Sequence, residues 1–214
     1  IDVITLPESN LIPDDFDFRP TNLAIDEYGY TYILSDGSYY GAILYSPEME
    51  FLGFFGANTV KATALDVIKQ IWDRLFSNDI KRAADEISLP YTFTDIVVGP
   101  NDFVYTSTGR TSSEDVETGQ ICRLNPGGKN VLNGENINFA DKNVGSLQRQ
   151  RQYQDLATLD VDENGFFYAL DTTYGRVFWY DSECNLLSIF AGSFGDGIQK
   201  GTFGLPSGIV LNGT

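Results

Sequence analysis

Three stretches of the 214-residue chain follow one grammar. They are PTNLAIDEYGYTYILSDGSYYGAILYSPEMEFLGFFG from Pro20, FTDIVVGPNDFVYTSTGRTSSEDVETGQICRLNPGGKNVL from Phe93, and LATLDVDENGFFYALDTTYGRVFWYDSECNLLSIFAG from Leu156. In each, an apolar run (Leu23-Ala24-Ile25, Ile96-Val97-Val98, or Leu159 and Val161) meets a polar turn. An aromatic-rich strand follows, ending in Tyr32, Tyr105 or Tyr168. A third strand turns at Ser46-Pro47, Asn125-Pro126-Gly127 or Asp181-Ser182 into a last one: Phe51 to Phe55, Asn130 to Leu132, or Leu186 to Phe190. Short apolar runs between Gly, Asn and Asp turns are the mark of antiparallel meanders.

The spacing narrows the choice of fold. With a 30-residue stretch, 61–90, set aside, Tyr32 and Tyr105 lie 43 positions apart. With the 20 residues 133–152 set aside, Tyr105 and Tyr168 also lie 43 apart. A four-strand unit of about 40–45 residues is the period of a β-propeller blade, whose faces pack on its neighbours around an axis. An immunoglobulin-like sandwich also has short strands, but it does not repeat at a fixed four-strand period. The expectation is therefore an all-β chain, a single partial propeller with blades at 19–58, 92–132 and 155–192 and the start of another at 204–214.

The residues Pro206-x-Gly208-Ile209-Val210-Leu211-Asn212 and Val161-Asp162-x-x-Gly165-x-x-Tyr168, followed by Asp171 and Arg176-Val177-x-x-Tyr180-Asp181, resemble the NHL-repeat propellers. The glycine-rich linker FAGSFGDGIQKGTFGLPSG looks like the crossing between NHL blades. IVVGPNDFVYT and QICRLNPGGKNVL are similar to a bacterial group in which such a propeller precedes a Yip-type membrane region. The pattern is strong in the third copy and weak in the second, and Gly41 and Gln120 stand where it places Arg176. The resemblance implies a six-bladed ring and an extracytoplasmic or cell-surface module. Three copies and a fragment do not close a ring, so completion would need more chain or self-association of two copies. The absence of a Met at Ile1 suggests a trimmed piece.

Two inserts interrupt the repeat. Leu65, Ile68, Trp72 and Leu75 in 61–90 have amphipathic helical spacing, and Asn78 or Asp79 would cap a second short helix, which predicts a helical hairpin. The stretch 133–152 is polar and reads as a long loop.

Composition excludes several functions. Fourteen Lys+Arg against thirty Asp+Glu give a formal net charge of −16, which repels nucleic acid and anionic membrane. With no histidine there is no Ser-His-Asp triad, no Cys-His dyad and no His-ligated zinc. Cys122 and Cys184 lack metal-type spacing, and their pairing is open. GxSxG, Walker and HExxH motifs are also missing.

Candidate sites follow from the alignment. Asn22, Asp95, Thr158 and Gly208 occupy equivalent positions near the entrance of a central channel, where propeller ligand sites lie. Tyr39, Tyr40 and Tyr174 fall in loops and are candidates for ligand contact, whereas Tyr32, Tyr105, Tyr168 and Tyr180 are expected between blades. Asp160, Asp162, Asn164, Gly165 and Asp171 fit a calcium-loop spacing, but DEYG and GPND recur at the same place, which favours a hairpin turn. The leading expectation is a non-enzymatic scaffold for a protein or saccharide ligand, with no cofactor. The alternative is a lactonase or gluconolactonase-like hydrolase using a divalent cation such as calcium, held by Asn22 and Asp95.

Overall fold

The computed structural model describes residues 4–12, 16–36, 41–56, 93–108, 121–132, 139, 155–192 and 200–212. The stretch 61–90 and most of 133–152 lie outside them, so the expected helical hairpin and polar loop do too.

Eleven strands build three antiparallel meanders among the described residues. The first sheet runs β1 (Pro20–Ile25), β2 (Thr31–Ser35), β3 (Ala42–Tyr45), β4 (Phe51–Phe55). The second holds β5 (Asp95–Val98), β6 (Val104–Ser107) and β7 (Ile121–Leu124). The third is β8 (Leu156–Val161), β9 (Phe167–Asp171), β10 (Arg176–Tyr180) and β11 (Leu186–Ala191). The first two strands of the three sheets pair in one register: Ala24 lies opposite Tyr32, Val97 opposite Tyr105, and Asp160 opposite Tyr168.

Two details differ from the sequence expectation. The tyrosines stand inside their strands, which run on to Ser35, Ser107 and Asp171. The fourth strand of the second copy shrinks to an isolated bridge, Leu124 to Asn130. There the Asn130 side chain accepts the N–H groups of Arg123 (3.2 Å) and Leu132 (3.0 Å), a local alternative to a continued ladder.

Alternate residues of a strand point to opposite faces, so a sheet buried on both sides reads as a continuous apolar run. Strand β2 shows this, since all five of its residues are buried. Tyr32, Leu34, Ala42, Leu44 and Phe55 of the first sheet pack on Ile96, Val104, Cys122 and Leu124 of the second. Tyr105 and Ile121, on the opposite face of the second sheet, pack on Leu159, Phe167, Ala169, Phe178 and Tyr180 of the third. The remaining face of the first sheet, with Ile33, Ile43, Tyr45 and Phe54, is covered by Ile4, Ile12, Phe16 and Phe18. Each sheet thus follows the last face to face, and their first strands touch in sequence, β1 to β5 and β5 to β8.

Tyr32 and Tyr105 are buried between sheets, and Tyr180 is buried with them. Tyr168 is only half-buried and lies stacked on Trp179, 5.6 Å apart, because no further described sheet covers that face.

Among the described residues one turn recurs five times. Asp26, Ser46, Asn125, Asp162 and Asp181 each accept through the main-chain carbonyl the N–H three residues on, at 2.7–3.1 Å. Each also accepts the N–H four residues on through its side-chain oxygen. The residue three positions on has positive φ: Gly29 (88°), Met49 (63°), Gly128 (77°), Gly165 (78°) and Cys184 (67°). This is a type I turn followed by a left-handed residue, a connection that preserves strand twist. In the second copy Gly99 replaces the aspartate, and a Cβ there would sit 2.7 Å from the Tyr105 ring.

Candidate functional site

The three aligned polar residues at the starts of the first strands meet. Asn22, Asp95 and Thr158 belong to β1, β5 and β8, each the edge strand of its own sheet. The Asp95 carboxylate joins them. Its Oδ1 accepts the Asn22 side-chain amide and the Ile96 N–H, the latter at 2.8 Å. Its Oδ2 accepts the Thr158 hydroxyl at 2.5 Å and the Leu159 N–H at 3.0 Å.

Four donors on one carboxylate fill its four lone-pair directions. The Leu159 N–H is on an unpaired strand edge, where a buried orphan amide would cost free energy, so the carboxylate removes that penalty across a sheet boundary. Asn22 is itself held in place, with its Oδ1 accepting the Leu23 N–H at 2.7 Å. Asp95 is 8% exposed, while Asn22 and Thr158 are half-buried, so the tie between sheets is buried at its centre.

The tie has a second rung that sequence reasoning missed. Asp160 Oδ1 accepts the Val161 N–H (2.8 Å), and Oδ2 accepts the Leu211 N–H (2.7 Å). A carboxylate two positions beyond Thr158 on the first strand, LATLDV, was the available signal. Gly208 has no side chain and makes no such contact.

The loop candidates divide. Tyr39 and Tyr40 lie outside the described residues. Tyr174 sits in the β9–β10 connection, at the same end of the sheets as the starts of β1, β5 and β8. The Arg176 guanidinium lies over its ring at 5.0 Å and over Phe178 at 5.1 Å. Arg176 also pairs with the fully buried Asp171 at 2.9 Å, and Asp171 Oδ1 accepts the N–H groups of Asp155, Thr173 and Tyr174. Tyr174 is therefore positioned by the buried ion pair beneath it.

The calcium-loop spacing is not gathered into a coordination shell. Asp162 Oδ1 accepts Asn164 and Phe166 amides, Asp160 ties strand edges, and Asp171 pairs with Arg176. Among the described residues, no group of three His, Cys, Asp or Glu side chains is placed to hold a metal ion. Both cysteines are free thiols; burial pushes the Cys122 thiol up to about 11. At the opposite end of the sheets, burial, only partly offset by the amides of Tyr30 and Tyr28 and the Tyr32 hydroxyl, raises Asp26 above its usual range. Burial also raises Asp102, helped by Glu27 and Asp26. No helix among the described residues is long and apolar enough to cross a membrane.

Comparison with known proteins adds little. No family model matches the chain, and no curated protein does. Among solved structures, the crystal structure of a protein of unknown function from Bacteroides caccae aligns at 10% identity and a TM-score of 0.40. The alignment covers 83% of this chain and 47% of that one, so this chain spans about half its length.

Proposed function

We propose that the chain is an arc of a β-propeller of NHL type, part of a six-bladed ring, that serves as a non-enzymatic binding scaffold. The sheets stack face to face with their first strands adjacent, as blades do. The β9–β10 connection, carrying Tyr174, presents a contact to a protein or saccharide ligand, in an extracytoplasmic setting, and Tyr39 and Tyr40 are further candidates from the sequence alone. Tyrosine on a rigid loop suits that task, since it offers a large amphipathic surface with few torsions to freeze.

The state of Asp95 carries this reading. A catalytic metal site needs carboxylate oxygens turned to an open coordination position, and both oxygens of Asp95 already accept two donors each. The hydrolase alternative would have to break that tie, exposing the Leu159 amide, before Asn22 and Asp95 could ligate a cation.

Calorimetric titration with calcium and with zinc, together with lactone turnover, tests the choice. The scaffold reading expects no stoichiometric site and no turnover. Tight one-to-one binding that disappears in Asp95→Ala would replace it with the hydrolase. A glycan and peptide array then reports the ligand, and Tyr174→Ala should weaken capture without lowering the melting temperature.

A further inference from the structure

We infer that residues 4–12 and 16–18 form a releasable strap, which opens from the first sheet as a unit of its own and so controls whether a further sheet can seat there. Ile33, Ile43, Tyr45 and Phe54 make up the face of the first sheet turned away from the second, and each is at most 4% exposed. What covers them is not a sheet. Ile4, Ile12, Phe16 and Phe18 pack on that face, with the Phe16 ring 5.8 Å from that of Phe54. None of residues 4–12 and 16–18 belongs to a strand.

The strap is held differently from the strands. A strand's N–H and C=O groups are committed to its ladder, so it leaves only when the sheet breaks. The strap has a turn of its own, in which Ser9 accepts the Ile12 N–H at 3.0 Å through its carbonyl and the Leu11 N–H at 3.2 Å through its hydroxyl. Two hydrogen bonds reach it from side chains of the sheet: the Tyr45 hydroxyl donates to the Thr5 carbonyl (3.2 Å) and the Ser35 hydroxyl to the Asp17 carbonyl (3.1 Å). Arg19, just beyond it, pairs with Asp17 and Asp36, but all three side chains are more than half exposed, where an ion pair holds little. The four apolar anchors are themselves only half-buried. A segment outside the ladders, on half-buried anchors, opens before the elements it covers.

Opening leaves the packing of the first sheet on the second in place, because Tyr32, Leu34, Ala42, Leu44 and Phe55 belong to the other face. It bares an apolar face of the kind that packs sheet on sheet elsewhere in the chain. Packed sheets lie about 10 Å apart, which leaves no room for an intervening segment. A sheet that seats directly on Ile33, Ile43, Tyr45 and Phe54 must therefore lift the strap first. The inference does not use the β9–β10 connection, so it stands or falls apart from the ligand reading above.

Nitration of the 214-residue chain with tetranitromethane, read by peptide mapping across a urea series, is the test. Tyr45 lies under the strap, whereas Tyr32 and Tyr105 lie between sheets. Tyr45 should become reactive at urea concentrations where circular dichroism still reports intact sheets and Tyr32 and Tyr105 are protected. Phe16→Ala, which removes the ring packed on Phe54, should raise the rate at Tyr45 by about tenfold without urea and leave the other two unchanged. The inference is overturned if the three tyrosines become reactive together at the unfolding transition. It is overturned equally if Phe16→Ala leaves Tyr45 unchanged or raises all three rates alike. Loss of all sheet structure in Phe16→Ala overturns it as well, since a strap that opens alone cannot be what holds the sheets together.

Discussion

The Asp95 carboxylate accepts the backbone N–H of Leu159, 3.0 Å away and 64 residues further along the chain, so an edge amide of one sheet is satisfied by the side chain of another. This contact adds a polar tie to the apolar packing between the second and third sheets. Breaking it leaves a buried donor unpaired.

Asp95→Ala should therefore destabilise the protein by about 2–4 kcal/mol in equilibrium urea unfolding. Asp95→Asn should cost nearly as much, because its amide end would face a donor at whichever oxygen it replaced. An isosteric variant with native stability would contradict the four-donor assignment.

Asp26 sets a pH dependence of the opposite kind to a salt-bridged carboxylate. Its folded value lies above the ordinary 3.8, so the folded state holds the proton more tightly than the unfolded chain. Its contribution to stability is greatest below 3.8 and falls as pH rises through the raised folded value. Asp26→Asn keeps an oxygen for the amides of Tyr28 and Tyr30 and should gain stability over the parent at neutral pH but not in acid. Asp102, raised in the same sense, leaves a residual slope.

Arg176→Ala strips the cation from Asp171, whose side chain is fully buried. A loss of about 3–5 kcal/mol is expected in thermal or urea unfolding. Arg176→Lys should recover only part, since one ammonium cannot both pair with Asp171 and lie flat over Tyr174 and Phe178.

Cys122 should resist alkylation in the native state. Burial raises its thiol to about 11, so little thiolate forms at neutral pH. Mass spectrometry after iodoacetamide should find Cys122 modified only once denaturant is present. Rapid native labelling there would show that the packing between the first two sheets opens.

Gly99→Ala tests the second copy's departure from the common turn. The new methyl would lie 2.7 Å from a Tyr105 ring carbon and 3.1 Å from Val161, on two different sheets. A loss of about 1–3 kcal/mol is expected, readable as a lower urea midpoint.

The repeat was legible because a blade is a local object. Period-2 alternation and Asp-x-x-Gly turns are set within a few residues, and with the tyrosine spacing they locate the strands and align Asn22, Asp95 and Thr158. The alignment could not say what those side chains do. Whether Asp95 turns its oxygens to an open channel or to Asn22, Thr158 and two amides depends on strands more than sixty residues away. The same holds for Tyr168 and Trp179, aromatic like Tyr32 and Tyr105 yet half-open, because exposure belongs to the neighbour and not to the residue. Sequence determined the strands and their faces through short-range sterics and burial; only the tertiary structure decided which polar groups find partners, since that needs atoms from three sheets at hydrogen-bond distance.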